Sequence, residues 1–244
     1  MEAHFPSRRH SWLMNFVDAL WAAVGLLVER DPQVTTAVFV SLQVAVLGTI
    51  SATLLGAPFG FWVATREFGG RRAVELLLNT ATALPTVVVG LLTYALLSRR
   101  GLLGDLGLLY TRTAMVVGET LLIAPLMAAL TLAVVSGADA RIHETALTLG
   151  ASPTRAAFTV AAEMRRGLLG AVATGFGRLI SELGIALMVG GNIAEATRTM
   201  TTAIALETSK GEFALGLALG ILLLAVALVV NVGAALLAPP HRDS

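Results

Sequence analysis

The sequence predicts an all-α integral membrane protein, and three observations lead to this fold class. The chain has 244 residues, of which 56% are hydrophobic and only 14% charged, whereas a soluble domain contains about 25% charged residues. Long stretches without Asp, Glu, Lys or Arg occur at 33–65, 76–98, 120–138 and 213–241. These stretches lack the alternation of a membrane β-barrel, and a helix satisfies its backbone polar groups within one segment.

Five segments are long enough to cross a bilayer, which requires about 20 apolar residues in a helix. They are predicted at 34–64, 74–97, 113–135, 168–189 and 213–237. The first is longer than a bilayer needs and contains Gly48, Gly56 and Pro58, which permit a kink or a tilt. The fourth is unusual because it contains two charged residues, Arg178 and Glu182.

An N-terminal segment at 12–28 precedes these spans and is ambiguous. Polar and small residues fall on one narrow stripe at helical spacing, and apolar residues cover the rest of the helix. Such a helix either crosses the bilayer or lies in its interface, and a cleaved signal sequence is a third, less favoured reading. We therefore divide the chain into an N-terminal tail and first helix at 1–30 and a membrane domain at 31–240.

The basic residues of the loops predict the orientation. If the connector at 136–167 is cytoplasmic, the loops on that side contain ten Arg residues and the outer loops contain six Arg or Lys residues. Cytoplasmic loops of membrane proteins carry the excess of Lys and Arg. We therefore expect a cytoplasmic connector, with the Arg99–Arg100 pair opposing this bias.

The connector has the local signals of a helix, a turn and a second helix. Gly150 is suited to the left-handed position that ends a helix. Ser152 can cap the next helix, with Pro153 at its first position. We expect a compact amphipathic knob that fits the groove of a partner protein, although an ordinary polar connector would have a similar pattern.

The same residues resemble a family motif. Glu144-Thr145-Ala146, followed by Gly150-Ala151 and then Phe158, is similar to the EAA loop of ABC importer permeases. Thr145 replaces an alanine of that motif, and Glu163 stands where the family often has proline. The resemblance implies a type I ABC importer permease bundle. It also implies a coupling loop at about 140–166 that docks on an ATPase through Glu144, Ala146, Gly150, Ala151, Ser152 and Phe158.

Two further stretches narrow the resemblance to permeases for oxyanions. Residues 79–98 resemble the second conserved span of molybdate and tungstate permeases, and residues 177–213 are similar to the tungstate type. The resemblance implies ATP-driven import of an oxyanion, with tungstate as the first candidate and molybdate, vanadate or another oxyanion as alternatives. A secondary transporter or channel independent of ATP is a rival from another class, although such proteins usually have an internal repeat, and none is detected here.

Residues for the path of the anion are predicted from their chemistry. A dianion needs hydroxyls, amides or helix N-termini to cross the bilayer core, and Pro85 permits a bend in the second span. Arg178 and Glu182 are four residues apart, which places them on one face of a continuous helix, with Glu119 as a third member. They form either a neutralising network or a gate. The predicted path and gate residues are Asn79, Thr82, Pro85, Thr86, Glu119, Arg178, Ser181, Glu182, Asn192 and Thr201.

The missing motifs argue against several activities for the chain itself. The sequence has no G-x-x-x-x-G-K-[ST] motif for ATP, no metalloprotease or hydrolase motif, and no cysteine. The net charge of +1 gives no basic footprint for nucleic acid. We expect a multi-pass permease of the bacterial inner membrane that is not an enzyme and binds no cofactor or metal. The resemblance to ABC importer permeases implies that the assembly is a homodimer with a cytoplasmic ATPase dimer, which holds ATP and Mg, and an extracytoplasmic solute-binding protein.

Overall fold

The structure is a computed structural model that describes Trp21, Gly25 and residues 32–237. These residues form helices and contain no strand, which confirms the predicted all-α class. Apart from Trp21 and Gly25, the segment 12–28 lies outside the described residues, so its relation to the membrane stays a prediction. The helices are α1 Pro32–Thr65, α2 Arg71–Ala81, α3 Thr86–Leu97, α4 Arg112–Ser136, α5 Ala140–Thr148, α6 Pro153–Glu163, α7 Arg165–Ile180, α8 Met200–Ser209 and α9 Phe213–Leu237, with a 3-10 turn at Gly104–Leu106 and a π-helical segment at Ala186–Gly190.

Helices α1 and α4 pack closely side by side, and glycines make this approach possible. A Cβ atom on Gly56 would overlap the carbonyl oxygen of Ala124, and one on Gly60 would overlap that of Ala128. At Gly48, a Cβ would lie 3.0 Å from Oε2 of Glu119. Because residue numbers increase together along both helices, α1 and α4 run parallel.

The second predicted span is broken near its middle. Helices α2 and α3 meet at an angle of 97°, and Pro85 is the N-cap of α3. A residue before proline is disfavoured in the helical region and proline has no N–H to continue the helix, so the predicted bend is confirmed. Leu78 of α2 packs in the same cluster as Leu132 of α4, whereas Thr93 of α3 approaches Gly118. The pair therefore runs antiparallel to α4 over most of its length.

The fourth predicted span is also broken. Helix α7 ends at Ile180, and the π-helical segment Ala186–Gly190 follows after a short interruption. Gly167 lies against Val134 at one end of α4, Gly175 lies against Met127, and Gly190 lies against Met115 at the other end. Residues 165–190 consequently run antiparallel to α4 along its whole length, although they do not form one helix.

Three helices in the described part of the chain are long and apolar enough to cross a membrane, namely α1, α4 and α9, and the bent pair of α2 and α3 adds a fourth if it is one span. These helices correspond to the first, third and fifth predicted spans. The connector between α4 and α7 lies at one end of the bundle, beside the end of α1, because the rings of Phe61 and Phe158 stack with centroids 6.0 Å apart. We call this end the connector end and the opposite one the far end.

We predict that Gly56→Ala destabilises the protein by about 1–3 kcal/mol, because the added methyl group overpacks the contact between α1 and α4. The matched control is Gly220→Ala in α9, where a Cβ atom has no neighbour within 4 Å. Thermal unfolding of the two variants in detergent measures the difference. Equal melting temperatures would contradict the close approach described here.

Candidate functional site

The connector folds into the predicted knob of two helices, α5 and α6. Gly150 has a φ of 86°, its N–H bonds to the carbonyl of Leu147, and the N–H of Ala151 bonds to that of Ala146. This is a Schellman motif, which requires the left-handed conformation that glycine adopts most readily. Ser152 caps α6 by accepting a hydrogen bond from the N–H of Arg155. The predicted stop and start signals are both confirmed.

A cleft of about 840 Å³ lies between the two helices of the knob. Ala146 and Leu149 line it, and Leu149 leaves 84% of its surface exposed at the tip of the turn. A large apolar side chain held on a rigid turn is suited to a pocket on another protein. Leu149 was not among the predicted docking residues, because its exposure at the tip of the turn becomes apparent only in three dimensions.

The beginning of the knob is held by a local ion pair. Asp139 caps α5 through the N–H of Arg141, and its Oδ2 lies 2.6 Å from the guanidinium of the same residue. The side-chain hydrogen bonds from Arg141 lower the pKa of Asp139 below its ordinary value. The cap therefore stays ionised at neutral pH.

The predicted docking residues do not all face the same way. Glu144 is exposed on α5 and available to a partner. Phe158 stacks on Phe61 of α1 and thus joins the knob to the membrane helices, although 64% of its surface is exposed. Val160, also on α6, is buried.

A second group of polar residues lies near the middle of the bundle, where both broken segments have their interruptions. Glu182 is 7% exposed, and its Oε1 accepts hydrogen bonds from the N–H groups of Gly184 and Ile185 at 2.8 and 3.3 Å. A Cβ atom on Gly184 would lie 3.0 Å from Oγ1 of Thr86. The beginning of α3 and the interruption after α7 are therefore in direct contact.

Threonine hydroxyls extend this group toward α8. Thr201 donates a hydrogen bond to the carbonyl of Glu182 at 2.8 Å, and its hydroxyl also lies 2.9 Å from that of Thr199. The N–H of Met200 bonds to Oγ of Ser41 on α1. Glu182 and Thr201 were predicted for the path, whereas Ser41 was not, because its partner is a backbone N–H far away in the sequence.

Glu119 of α4 lies inside the bundle and is 3% exposed. Its Oε2 has no hydrogen-bond partner among the described residues and faces Gly48 of α1. A buried carboxyl oxygen without a partner is a costly arrangement. We refer to Thr86, Glu119, Glu182, Thr199 and Thr201 as the polar cluster.

The predicted pairing of Arg178 with Glu182 is wrong for this structure. Helix α7 ends at Ile180, so the two residues do not share one helix face. The Arg178 side chain is exposed and forms no ion pair within the described part of the chain. Ser181 instead turns its hydroxyl back to the carbonyls of Gly177 and Arg178, as serine does where it competes with helical bonds.

The remaining predicted path residues occupy three places. Thr82 and Pro85 are exposed at the break between α2 and α3. Asn79 lies apart from the polar cluster, in a groove of about 270 Å³ between α2 and α4 at the connector end. Asn192 lies at the far end, where its Oδ1 accepts a hydrogen bond from Arg198.

Comparison with known proteins places this architecture in a family. Residues 56–242 match the family described as "Binding-protein-dependent transport system inner membrane component". The chain therefore belongs to this family of inner-membrane transport components.

Individual relatives are similar over most of the chain. The tungstate uptake system permease protein TupB of Campylobacter jejuni is 38% identical over 214 residues, which cover 88% of this chain and 90% of TupB. The molybdenum transport system permease protein ModB of Escherichia coli K12 is 28% identical over 200 residues, which cover 76% of this chain and 85% of ModB.

A solved structure is similar in fold. A bacterial alginate ABC transporter in complex with an alginate-bound periplasmic protein contains a chain that aligns with a TM-score of 0.68 at 17% identity. The alignment covers 93% of this chain and 87% of the other. The described helices thus have the fold of an ABC transporter permease.

We predict that Glu182→Ala destabilises the protein by about 1–2 kcal/mol, since it removes the cap of the segment after α7, whereas Arg178→Ala changes the stability by less than about 0.5 kcal/mol. The stability of Glu182→Gln should lie between those of the two alanine variants, because the amide oxygen of glutamine can still accept a hydrogen bond from the backbone N–H groups. Thermal unfolding in detergent measures all three. If Arg178→Ala were as damaging as Glu182→Ala and the double variant no worse, an ion pair would exist after all.

Proposed function

We propose that this chain is the membrane permease of an ATP-driven importer for tungstate. The observation that carries the proposal is the 38% identity to a tungstate permease over 88% of the chain. Molybdate is the second candidate, because a molybdenum permease matches at 28% identity. The chain itself hydrolyses no ATP in this proposal, and a cytoplasmic partner holds ATP and Mg.

The proposed architecture is a type I permease bundle with five crossings in residues 31–240, together with the N-terminal helix. The parallel direction of α1 and α4 supports this count. The chain must return through the bilayer between two parallel crossings, which assigns one crossing to α2 and α3. Residues 165–190 make the next return in spite of their interruption, and α9 makes the last.

Two copies of the chain are proposed to form the path. The break at 82–85 is exposed on the surface of the single chain, yet irregular backbone does not face lipid at the depth of the hydrocarbon core. A second copy, or a water-filled path beside it, would cover this break. The proposed homodimer therefore has the broken segments near its two-fold axis.

The proposed path follows the polar residues at these breaks. A dianion in the bilayer core requires donors that replace its hydration. Thr86 supplies a hydroxyl at the point where the two interruptions meet, whereas the hydroxyls of Thr82 and Ser181 would first have to release the backbone carbonyls to which they donate. Glu119 and Glu182 would repel the anion if both were ionised and open to the path, so we assign them to the gate that holds the helices rather than to the anion. The other proposed path or gate residues are Pro85, Arg178, Asn192 and Thr201. Asn79 is proposed to line the path only at the connector end.

The proposed coupling follows from the knob. ATP binding would close the ATPase dimer, the knob would move with it, and the membrane helices would then open toward the binding protein. In this proposal Leu149 and Glu144 face the ATPase, while Phe158 transmits the movement to α1 through Phe61. Hydrolysis would reset the assembly.

The proposal predicts uptake of tungstate into proteoliposomes only when the permease, the ATPase and the binding protein are present together with ATP. Molybdate and sulfate serve as competing anions, because all three are tetrahedral dianions. Preferential uptake of molybdate would make molybdate, and not tungstate, the substrate of the importer. Uptake by the permease alone would contradict an ATP-driven mechanism.

We further predict that Gly150→Val lowers the amount of tungstate taken up for each ATP hydrolysed, with the protein still inserted in the membrane. A β-branched residue at a φ of 86° strains the turn by about 1–2 kcal/mol or more and displaces Leu149. Gly69→Val is the matched control, because a Cβ atom there has no neighbour within 4 Å. An unchanged ratio of uptake to hydrolysis in Gly150→Val would argue against a coupling role for the knob.

A further inference from the structure

The segment at 191–199, which we call the outer loop, is held in a conformation that its residues do not favour. It lies at the far end of the bundle, between the π-helical segment and α8. Asn192 and Glu195 have φ values of 50° and 61°, in the left-handed region that residues with a Cβ atom seldom adopt. Such conformations persist only when the surrounding structure holds them.

Part of this support comes from within the loop itself. Thr197 is buried, accepts a hydrogen bond from the N–H of Ile193 at 3.1 Å, and donates one to the carbonyl of Gly190 at 2.5 Å. Arg198 donates to the side chain of Asn192 at 3.2 Å. These bonds close the loop on itself, but they do not connect it to α1 or α4.

Arg112, at the first position of α4, makes that connection. Its Nε donates to the carbonyl of Ala196 at 2.7 Å, and an Nη group donates to the carbonyl of Glu195 at 3.3 Å. The other Nη group donates to Oε1 of Gln43 on α1 at 2.9 Å. The guanidinium also lies 5.9 Å from the ring centroid of Phe39, within reach of a cation–π interaction.

Tyr110, two residues earlier, holds the beginning of the same loop. Its N–H bonds to the carbonyl of Val189 at 2.9 Å. A Cβ atom on Gly191 would lie 2.8 Å from its ring, so the ring packs directly on the loop backbone. Tyr110 itself has a φ of 65° and Gly191 has a φ of 72°, so both residues of this contact are in the left-handed region.

From these contacts we infer that Tyr110 and Arg112 form a clamp that fixes the outer loop to α1 and α4, and that Arg112 is a positioning residue for transport. The planar guanidinium joins three acceptors on two different segments, which an ammonium group cannot reproduce. The clamp consequently links the outer loop directly to the α1–α4 pair. This inference rests on the proposed function, because the clamp acts by presenting the far end of the permease in one conformation.

The absence of cysteine from the sequence permits a direct test with a single label. Ala194 is exposed in the outer loop, and Ala194→Cys gives one site for a nitroxide spin label. The label is introduced into the otherwise unchanged protein and into Arg112→Ala, Arg112→Lys and Arg100→Ala. Arg100 is the matched control, since it is exposed and makes no hydrogen bond or ion pair within the described part of the chain.

We expect the label to become more mobile in both Arg112 variants and to remain unchanged in Arg100→Ala. ATP-dependent uptake of tungstate by the reconstituted complex should fall about tenfold in both Arg112 variants, as displaced positioning residues commonly produce losses of this size or larger. If Arg112→Lys leaves both the mobility of the label and the uptake of tungstate unchanged, the guanidinium group is not required and the inference fails. An increase in mobility without loss of uptake would also overturn the positioning role.

A second substitution separates the clamp from a general loss of folding. Glu195→Gly should restore part of the order and of the uptake to Arg112→Ala, because glycine adopts a positive φ without a steric cost. On its own it should have little effect, since Arg112 binds the carbonyl of residue 195 and not its carboxylate. No recovery in the double variant would contradict a clamp that acts against backbone strain. If the unchanged protein takes up no tungstate, the proposed function fails, while the mobility of the label still tests the clamp.

Discussion

The close approach of α1 and α4 at Gly56 and Gly60 determines where the remaining helices can lie. Lipid chains are as apolar as leucine, so membrane helices associate through close packing and hydrogen bonds and not through a hydrophobic force between them. Glycine permits two backbones to touch, and it does so here where Gly56 and Gly60 lie against the backbone of Ala124 and Ala128. The resulting pair is parallel, and the segments at 71–97 and 165–190 return along α4, whereas α9 packs mainly on α8 and α7.

The two segments that return along α4 are both interrupted, and their interruptions meet. Pro85 causes the first break, and Ser181 with Glu182 accompanies the second. Unsatisfied backbone groups at this depth require a partner, and the carboxylate of Glu182 supplies one to two N–H groups. The polar residues inside the bundle therefore have a structural task at the place where an anion would also need donors. That coincidence supports the proposed position of the gate at the breaks.

Local rules predicted much of the fold and of the knob. The stop at Gly150 and the cap at Ser152 depend on neighbours within a few residues, so the sequence alone is sufficient to find them. The pairing of Arg178 with Glu182 was wrong because it assumed an unbroken helix. Ser181 and Glu182 bond locally at the interruption, but the contact of Gly184 with Thr86 and the bond from Thr201 to Glu182 join it to other segments. Arg112 was missed for a similar reason, because its acceptors are backbone carbonyls more than 80 residues away.

The length of α1 has a mechanical consequence. With 34 residues and a rise of 1.5 Å each, the helix extends about 51 Å, whereas the hydrocarbon core is about 30 Å thick. The excess reaches beyond the bilayer, where Phe61 touches the knob. As one continuous helix, α1 converts a tilt of about 5° into a displacement of about 4 Å at its opposite tip. In the proposed mechanism, a small rotation at the knob would thereby become a larger movement at the far end, where it could admit or exclude a single tetrahedral ion.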